Sequence, residues 1–412
     1  MKKLILILLA VSLCAVPALA YETRQEMRDA FNSFGMYQGD TPYAQMPVVA
    51  PPYAPGKLNE VALGDALSYL NFLRSLADLE PVSRSEIYDF QCQHGAVLLA
   101  AHDYVDHYAP QPADMSDDFY GLAYLATSSS NIARFNWMRP TIIREGIAYF
   151  VRDDGDTNLP VLGHRRWLLN PMMNATGFGL ANSDTGMSYV SMYAHDMGNA
   201  DAEWTRVCWP TAGVFPVELM HTNLAWSVSL NPEIYNVQRS KIVVTLEEEN
   251  LGLTFGFNCS AGEGDGFCTV NSDAYGAGPC IIFRPDFAGT DFTDYQQNQR
   301  WKVKVTGLEL TAGGAAEMEY EVEMASLYVQ EVANIELSQI EAELKPGETL
   351  ALTAAVIPAY ADDMSVSWSS SDPSVAAVDG NGVIAALNPG TCEIRAESAN
   401  GRYDRCTLTV VK

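Results

Sequence analysis

Hydrophobic positions follow three textures along this chain, and each predicts a different kind of structure. The first is a continuous block: Lys2 and Lys3 precede an apolar run from Leu4 to about Val16, closed by Ala18-Leu19-Ala20. This order is that of a secretory signal peptide, and the run falls short of the roughly 20 residues a membrane-spanning helix needs. It predicts export, with a mature chain starting near Tyr21; the rest of the sequence offers no transmembrane segment. Lipid attachment at Cys14 is a second route, but Leu13 stands where such signals carry a small residue.

The second texture is helical spacing. Residues 21–36 suit a short helix, whereas Pro42, Pro47, Pro51, Pro52 and Pro55 predict a linker or extended arm. From Val61, the positions Leu63, Ala66, Leu67, Leu70 and Leu73 form one stripe of a helix of about four turns. Ser83 with Glu86 is a capping-box signature for a second helix with an inward stripe of Ile87, Phe90, His94, Val97, Leu98 and Ala101. His94 in that stripe is expected to be a buried, hydrogen-bonded core residue. Residues Pro140 to Val151 read as a further helix.

Past Pro210 alternation takes over, in residues 242–246, 301–305 and 318–324, which predicts strands with one wet face. Shorter alternating runs from Val332 onward are separated by turn signals at residues 345–348, 379–382 and 388–390. They predict a small β-sandwich.

Charge narrows the partners. Fifty-one acidic residues against 25 basic ones give a net charge of −26, which repels nucleic acid and anionic membranes and favours neutral or cationic partners. The cysteines after the signal are scattered, so neither a zinc ribbon nor a dense disulfide scaffold fits. Cys392 and Cys406 are expected to face each other across a hairpin turning near Asn400-Gly401.

Standard catalytic patterns are missing: there is no H-E-x-x-H helix, G-x-S-x-G elbow or phosphate-cradling glycine loop. Asp154-x-Asp156-x-Asn158 opens like a calcium loop, but Leu159 and Arg165 occupy the places of the turn glycine and the bidentate glutamate. Gly262 to Gly266 reads as a flexible hairpin or a calcium-stabilised turn.

The C-terminal strings Leu344 to Leu352 (LKPGETLAL), Val366-Ser367-Trp368-Ser369-Ser370, Val375 to Val378 and Gly390 to Ile394 resemble the bacterial Ig-like group 2 domain. The resemblance implies a spacer or adhesive module with Trp368 in its core. Earlier, Gly163-His164-Arg165-Arg166-Trp167-Leu168-Leu169-Asn170-Pro171 followed by Gly177-Phe178-Gly179 is similar to the CAP superfamily of cysteine-rich secretory proteins, antigen 5 and pathogenesis-related 1. The two together imply an α+β chain: a three-layer α-β-α sandwich followed by all-β domains. The expected division is 1–20 signal peptide, 21–56 arm, 57–200 CAP domain, 201–330 β-rich domain and 331–412 Ig-like domain.

In the CAP family a cleft is lined by two histidines and two glutamates, a set able to hold a divalent metal or move protons. The resemblance places His107 and His164 at the histidine positions and Ser130, before Asn131, where the first glutamate stands. The second has no clean counterpart: Glu145 stands at about the right distance before His164, and Asp153 and Asp154 are nearer to a loop position. Expected cleft residues are therefore His107, Ser130, Asn131, His164 and Arg165, with zinc or magnesium at the histidine pair. Two imidazoles with one hydroxyl hold such an ion poorly. The reading is a secreted, non-enzymatic protein that binds an extracellular ligand or cell-surface component through this cleft. The alternative is an extracellular hydrolase of peptide or cell-wall material using His107, His164 and a carboxylate; a third reading, a purely structural scaffold, expects a cleft plugged by apolar side chains.

Overall fold

The computed structural model describes residues 20–276 and 278–412. The residues read as a signal peptide, Ala20 apart, lie outside them. One compact unit runs to Tyr295 and includes Gln299–Ala325; the other is Gln296–Asn298 with Ser326–Lys412.

In the first unit, α1 (Arg24–Asn32) starts at a capping box between Thr23 and Glu26. The proline-rich segment is folded back rather than free: Tyr43–Gln45 pairs antiparallel with Lys57–Leu58, and Tyr43 is buried. Helix α2 (Glu60–Leu76) is capped by Asn59 and buries Leu63, Ala66, Leu70 and Leu73. Near its end, buried Arg74 donates to the carbonyls of Glu80, Leu168 and Asn170, tying α2 to the segment that carries His164.

Helix α3 (Glu86–His102) begins from Ser85, not Ser83, because Ser83–Arg84 is held as a short strand parallel to Ala175–Thr176. Of the predicted stripe His94, Val97 and Leu98 are buried, while Ile87 and Phe90 near the start of the helix are exposed; Cys92, Gln93, Ala96, Leu99 and Ala100 are buried as well, because the middle of α3 is covered on more than one side. His94 is buried as expected. Its Nδ1 bonds the Phe90 carbonyl at 2.7 Å, and its ring lies 4.4 Å from those of Phe90 and Phe119.

Three antiparallel strands form the middle layer, in the order Ser130–Phe135, Ser188–Tyr193, Phe178–Asn182. Helices α3 and α4 (Asp117–Ser129) pack together, with α3 on the sheet, and α5 (Ile142–Arg152) packs on the sheet and on α2. Two glycines set the spacing of α3 to the sheet. A Cβ at Gly177 would lie 2.3 Å from the Asp89 nitrogen, and one at Gly179 would lie 2.1 Å from the Cys92 carbonyl oxygen. On the α5 side, a Cβ at Gly146 would meet Val190 at 2.7 Å.

The chain then builds two sheets. A four-stranded one is ordered Gly266–Asn271, Cys280–Pro285, Trp226–Leu230, Arg206–Trp209; a six-stranded one contains the predicted strands as Val243–Glu248, Arg300–Glu309 and Ala315–Ala325. Trp226, Phe283, Phe257 and Trp301 are fully buried and interlock as a shared aromatic core.

The second unit is a β-sandwich with a core of Leu352, Ile384, Ala386, Ile394 and Leu408, against which Trp368 packs half-buried. The α+β class with all-β domains after the helical part is thus what the chain forms. The predicted hairpin over Asn400-Gly401 joins Gly390–Ser398 to Tyr403–Val410, but Cys392 stands opposite Leu408 and Cys406 opposite Ile394. The two thiols are offset by one pleat, buried and free, which corrects the expectation that they face each other.

Candidate functional site

His164 sits on α6 (Gly163–Leu168), a short helix entered through Leu162 in the left-handed region, φ 46°. Helix α5 ends eleven residues earlier at Asp153, a left-handed cap whose N–H bonds the Tyr149 carbonyl. That bend delivers the Asp153 carboxylate to the start of α6. Its Oδ1 accepts from His164 Nδ1 at 2.8 Å and its Oδ2 from the Arg165 backbone N–H at 3.2 Å. An ionised carboxylate only accepts, so this bond calls for a proton on His164 Nδ1 and leaves Nε2 as the ring nitrogen not held by Asp153. Phe150 packs beside the ring at 5.4 Å, and the Asn131 amide donates to the His164 carbonyl at 2.9 Å.

His107 is held the same way from a different element. Its Nδ1 meets the Thr127 carbonyl near the end of α4 at 2.8 Å, while the Thr127 hydroxyl donates back to the His107 carbonyl. A carbonyl also only accepts, so Nε2 again is the atom left for a ligand, and no hydrogen bond claims it among the described residues. His195, whose N–H bonds the Ser129 carbonyl, stacks on Trp167 of α6 at 4.1 Å. Burial, and secondarily the proximity of His107, lowers its pKa. His107 and His195 thus lie near each other at the end of α4, and His164 is tied to the adjoining strand through the Asn131 amide.

The other expected cleft residues are placed elsewhere. Ser130 is buried beneath the sheet with its hydroxyl 3.6 Å from the Cys92 thiol, because strand alternation turns it away from the side Asn131 faces. Arg165 is 1% exposed and donates to the carbonyls of Val151, Arg152 and Ala225 and to the Ser227 hydroxyl. Burial, opposed by Asp153, brings its pKa down to about 10. It braces the α5–α6 bend and has no donor turned to a ligand. Glu145 accepts from Trp137 Nε1 and the Thr141 hydroxyl, with Arg139 at 3.8 Å, and so holds a 43% exposed indole rather than a histidine. Asp154 lies 3.9 Å from His221 and leaves His164 to its neighbour Asp153.

Tested on these donors, zinc or magnesium at the histidine pair does not fit. Asp153 spends both oxygens within the fold, Glu145 is engaged, and among the described residues no group of three or more His, Cys, Asp or Glu is arranged around a common point. Of the two adjacent aspartates offered for the second acidic position, Asp153 is the one that reaches His164. His195 and Trp167 are the residues that sequence reasoning missed, because they reach the site only through strand and helix packing.

The model of the cysteine-rich secretory protein family matches residues 67–193, and that of the bacterial Ig-like domain (group 2) matches residues 331–407. The chain carries a CAP domain followed by a bacterial Ig-like domain. Domains of these kinds are typical of extracellular proteins. Residues between the two matches, including the sheets described above, fall under neither. Among curated relatives, an uncharacterized protein of Clostridium acetobutylicum is 42% identical over 80 residues, 19% of this chain and 8% of that protein. A 3-O-alpha-D-galactosyl-alpha-L-arabinofuranosidase of Bifidobacterium longum subsp. longum is 48% identical over 58 residues, 14% of this chain and 5% of that enzyme. The chain spans only 5% to 20% of the curated relatives it matches. Domains 4 and 5 of the S-layer protein SbsC align with 41% of this chain and 99% of that structure, at 14% identity and a TM-score of 0.20, too low to carry an argument. No helix among the described residues is long and apolar enough to cross a membrane.

Proposed function

We propose that this chain is an exported protein whose CAP domain binds an extracellular ligand or cell-surface component non-covalently, through the imidazole cleft of His107, His164 and His195. One observation carries the reading: His107 and His164 are both pinned through Nδ1, so each has Nε2 left for a ligand. The Trp167–His195 stack supplies ring surface beside this junction, and the Ig-like domain serves as a spacer or adhesive module. The test is histidine-resolved NMR of the mature chain against a panel of cell-wall saccharides, phospholipid vesicles and surface-protein extracts. Perturbation of the His107 and His164 ring signals by one class, lost in His164→Gln, supports the reading; a panel that moves neither ring overturns it.

A second reading, hydrolysis, is favoured by one feature: the buried Asp153 carboxylate on His164 is the arrangement that orients an imidazole as a general base. Water activated by Nε2 would attack a peptide or cell-wall bond. Turnover of peptidoglycan or casein that vanishes in His164→Gln would replace binding with catalysis.

A further inference from the structure

One cavity of the first unit lies outside both family matches, in the β-rich region. It holds about 600 Å³ where the turn at Thr222-Asn223 meets the end of the strand Cys280–Pro285 and the loop that follows. Its size is that of pockets for small molecules.

One wall is aromatic and fixed. Phe287 and Phe292 stack at 4.2 Å with their planes 22° apart, and Phe292 meets fully buried Trp301 edge-on at 5.6 Å. Phe287 also packs edge-on against Phe255 at 5.1 Å. These rings are anchored in the core, so the surface they offer is set before any ligand arrives.

The remaining lining is polar and balanced. Arg284 donates through Nη1 to the Asn223 carbonyl at 3.1 Å, and among the described residues no carboxylate pairs with it. Asp286 accepts from the Ala288 N–H through Oδ1, leaving Oδ2. Thr222 and Thr293 add hydroxyls. The pocket therefore has one cation, one carboxylate, several neutral donors and acceptors, and a ring face.

That combination selects. A free anion would meet Asp286 and a chain of net charge −26; a cation would meet Arg284; a purely apolar molecule would strip water from the polar groups without replacing their hydrogen bonds. A neutral pyranose has hydroxyls that both donate and accept at its edges and a C–H face that lies on an aromatic ring. We propose that this cavity is a binding site for a neutral saccharide of one or two rings, separate from the imidazole cleft and independent of it.

Isothermal titration of the full chain with methyl β-galactoside, N-acetylglucosamine and cellobiose, beside glucuronate and decanoate, tests this. At least one neutral sugar is expected to bind, with the dissociation constant raised tenfold or more by Arg284→Gln and by Asp286→Asn, which keeps the bond to Ala288. Circular dichroism verifies that both variants fold. Lack of binding by any neutral sugar, binding by glucuronate or decanoate alone, or neutral-sugar affinity unchanged in both variants would overturn the assignment.

Discussion

Asp153 Oδ1 lies 2.8 Å from His164 Nδ1, and the carboxylate side chain is wholly buried, its other oxygen taken by the Arg165 N–H. The pair fixes the imidazole and also faces the buried Arg165 guanidinium, so stability and site geometry share one residue. Asp153→Ala is expected to destabilise the first unit by about 3 kcal/mol, the lower end of the cost of breaking a buried charged pair. Urea unfolding followed by tryptophan fluorescence measures it; a loss below about 1 kcal/mol would mean that solvent already compensates the site.

Zinc and magnesium are expected not to bind stoichiometrically, since two Nε2 atoms without a free carboxylate do not complete a coordination sphere. Calorimetric titration of the full chain, with His107→Ala/His164→Ala as reference, decides. One-to-one binding that disappears in the double variant would contradict the donor accounting.

The proton linkage of Asp89 gives a pH signature. Burial raises its pKa to about 6, against the opposing Phe178 N–H and Arg84. A carboxyl whose folded pKa is raised holds its proton more tightly in the native state. Its contribution is therefore complete below about pH 4 and is lost as pH rises through about 6. Relative to the parent, Asp89→Asn should gain stability between pH 4 and pH 7. Melting temperatures across that range that run parallel for the two proteins would refute the assignment.

Gly179→Ala is expected to cost about 3 kcal/mol, because the new methyl would press on the Cys92 carbonyl and push α3 off the sheet. Gly64→Ala on the exposed face of α2, with nothing within 4 Å, should instead stabilise by about 0.5–1 kcal/mol. Thermal unfolding of the two single variants compares them directly.

Native mass spectrometry under non-reducing conditions should find Cys392 and Cys406 as unlinked thiols, slow to react with a maleimide until the Ig-like domain unfolds. A linked peptide spanning both would show that the strands Gly390–Ser398 and Tyr403–Val410 pair in another register.

Local pattern alone determined the helices, the alternating strands and the turn signals of this protein, since period 3.6, period 2 and Gly/Pro punctuation are written in neighbouring residues. It also marked Gly163 to Pro171 and the pair Gly177 and Gly179, whose lack of a side chain the α3–sheet contact requires. Tertiary structure decided the rest. Ser85 replaced Ser83 as the cap of α3 because a strand 92 residues away pairs with Ser83. Arg165 became a brace and Ser130 a core residue because their surroundings come from the strand Trp226–Leu230 and from α3. Asp153 rather than Asp154 or Glu145 reached His164 because a left-handed residue turns the chain there, and one residue of difference reverses which way a side chain points. Burial, partners and direction are properties of residues distant in sequence, so a single chain read in order carries them only where a packing constraint has already fixed the residue type.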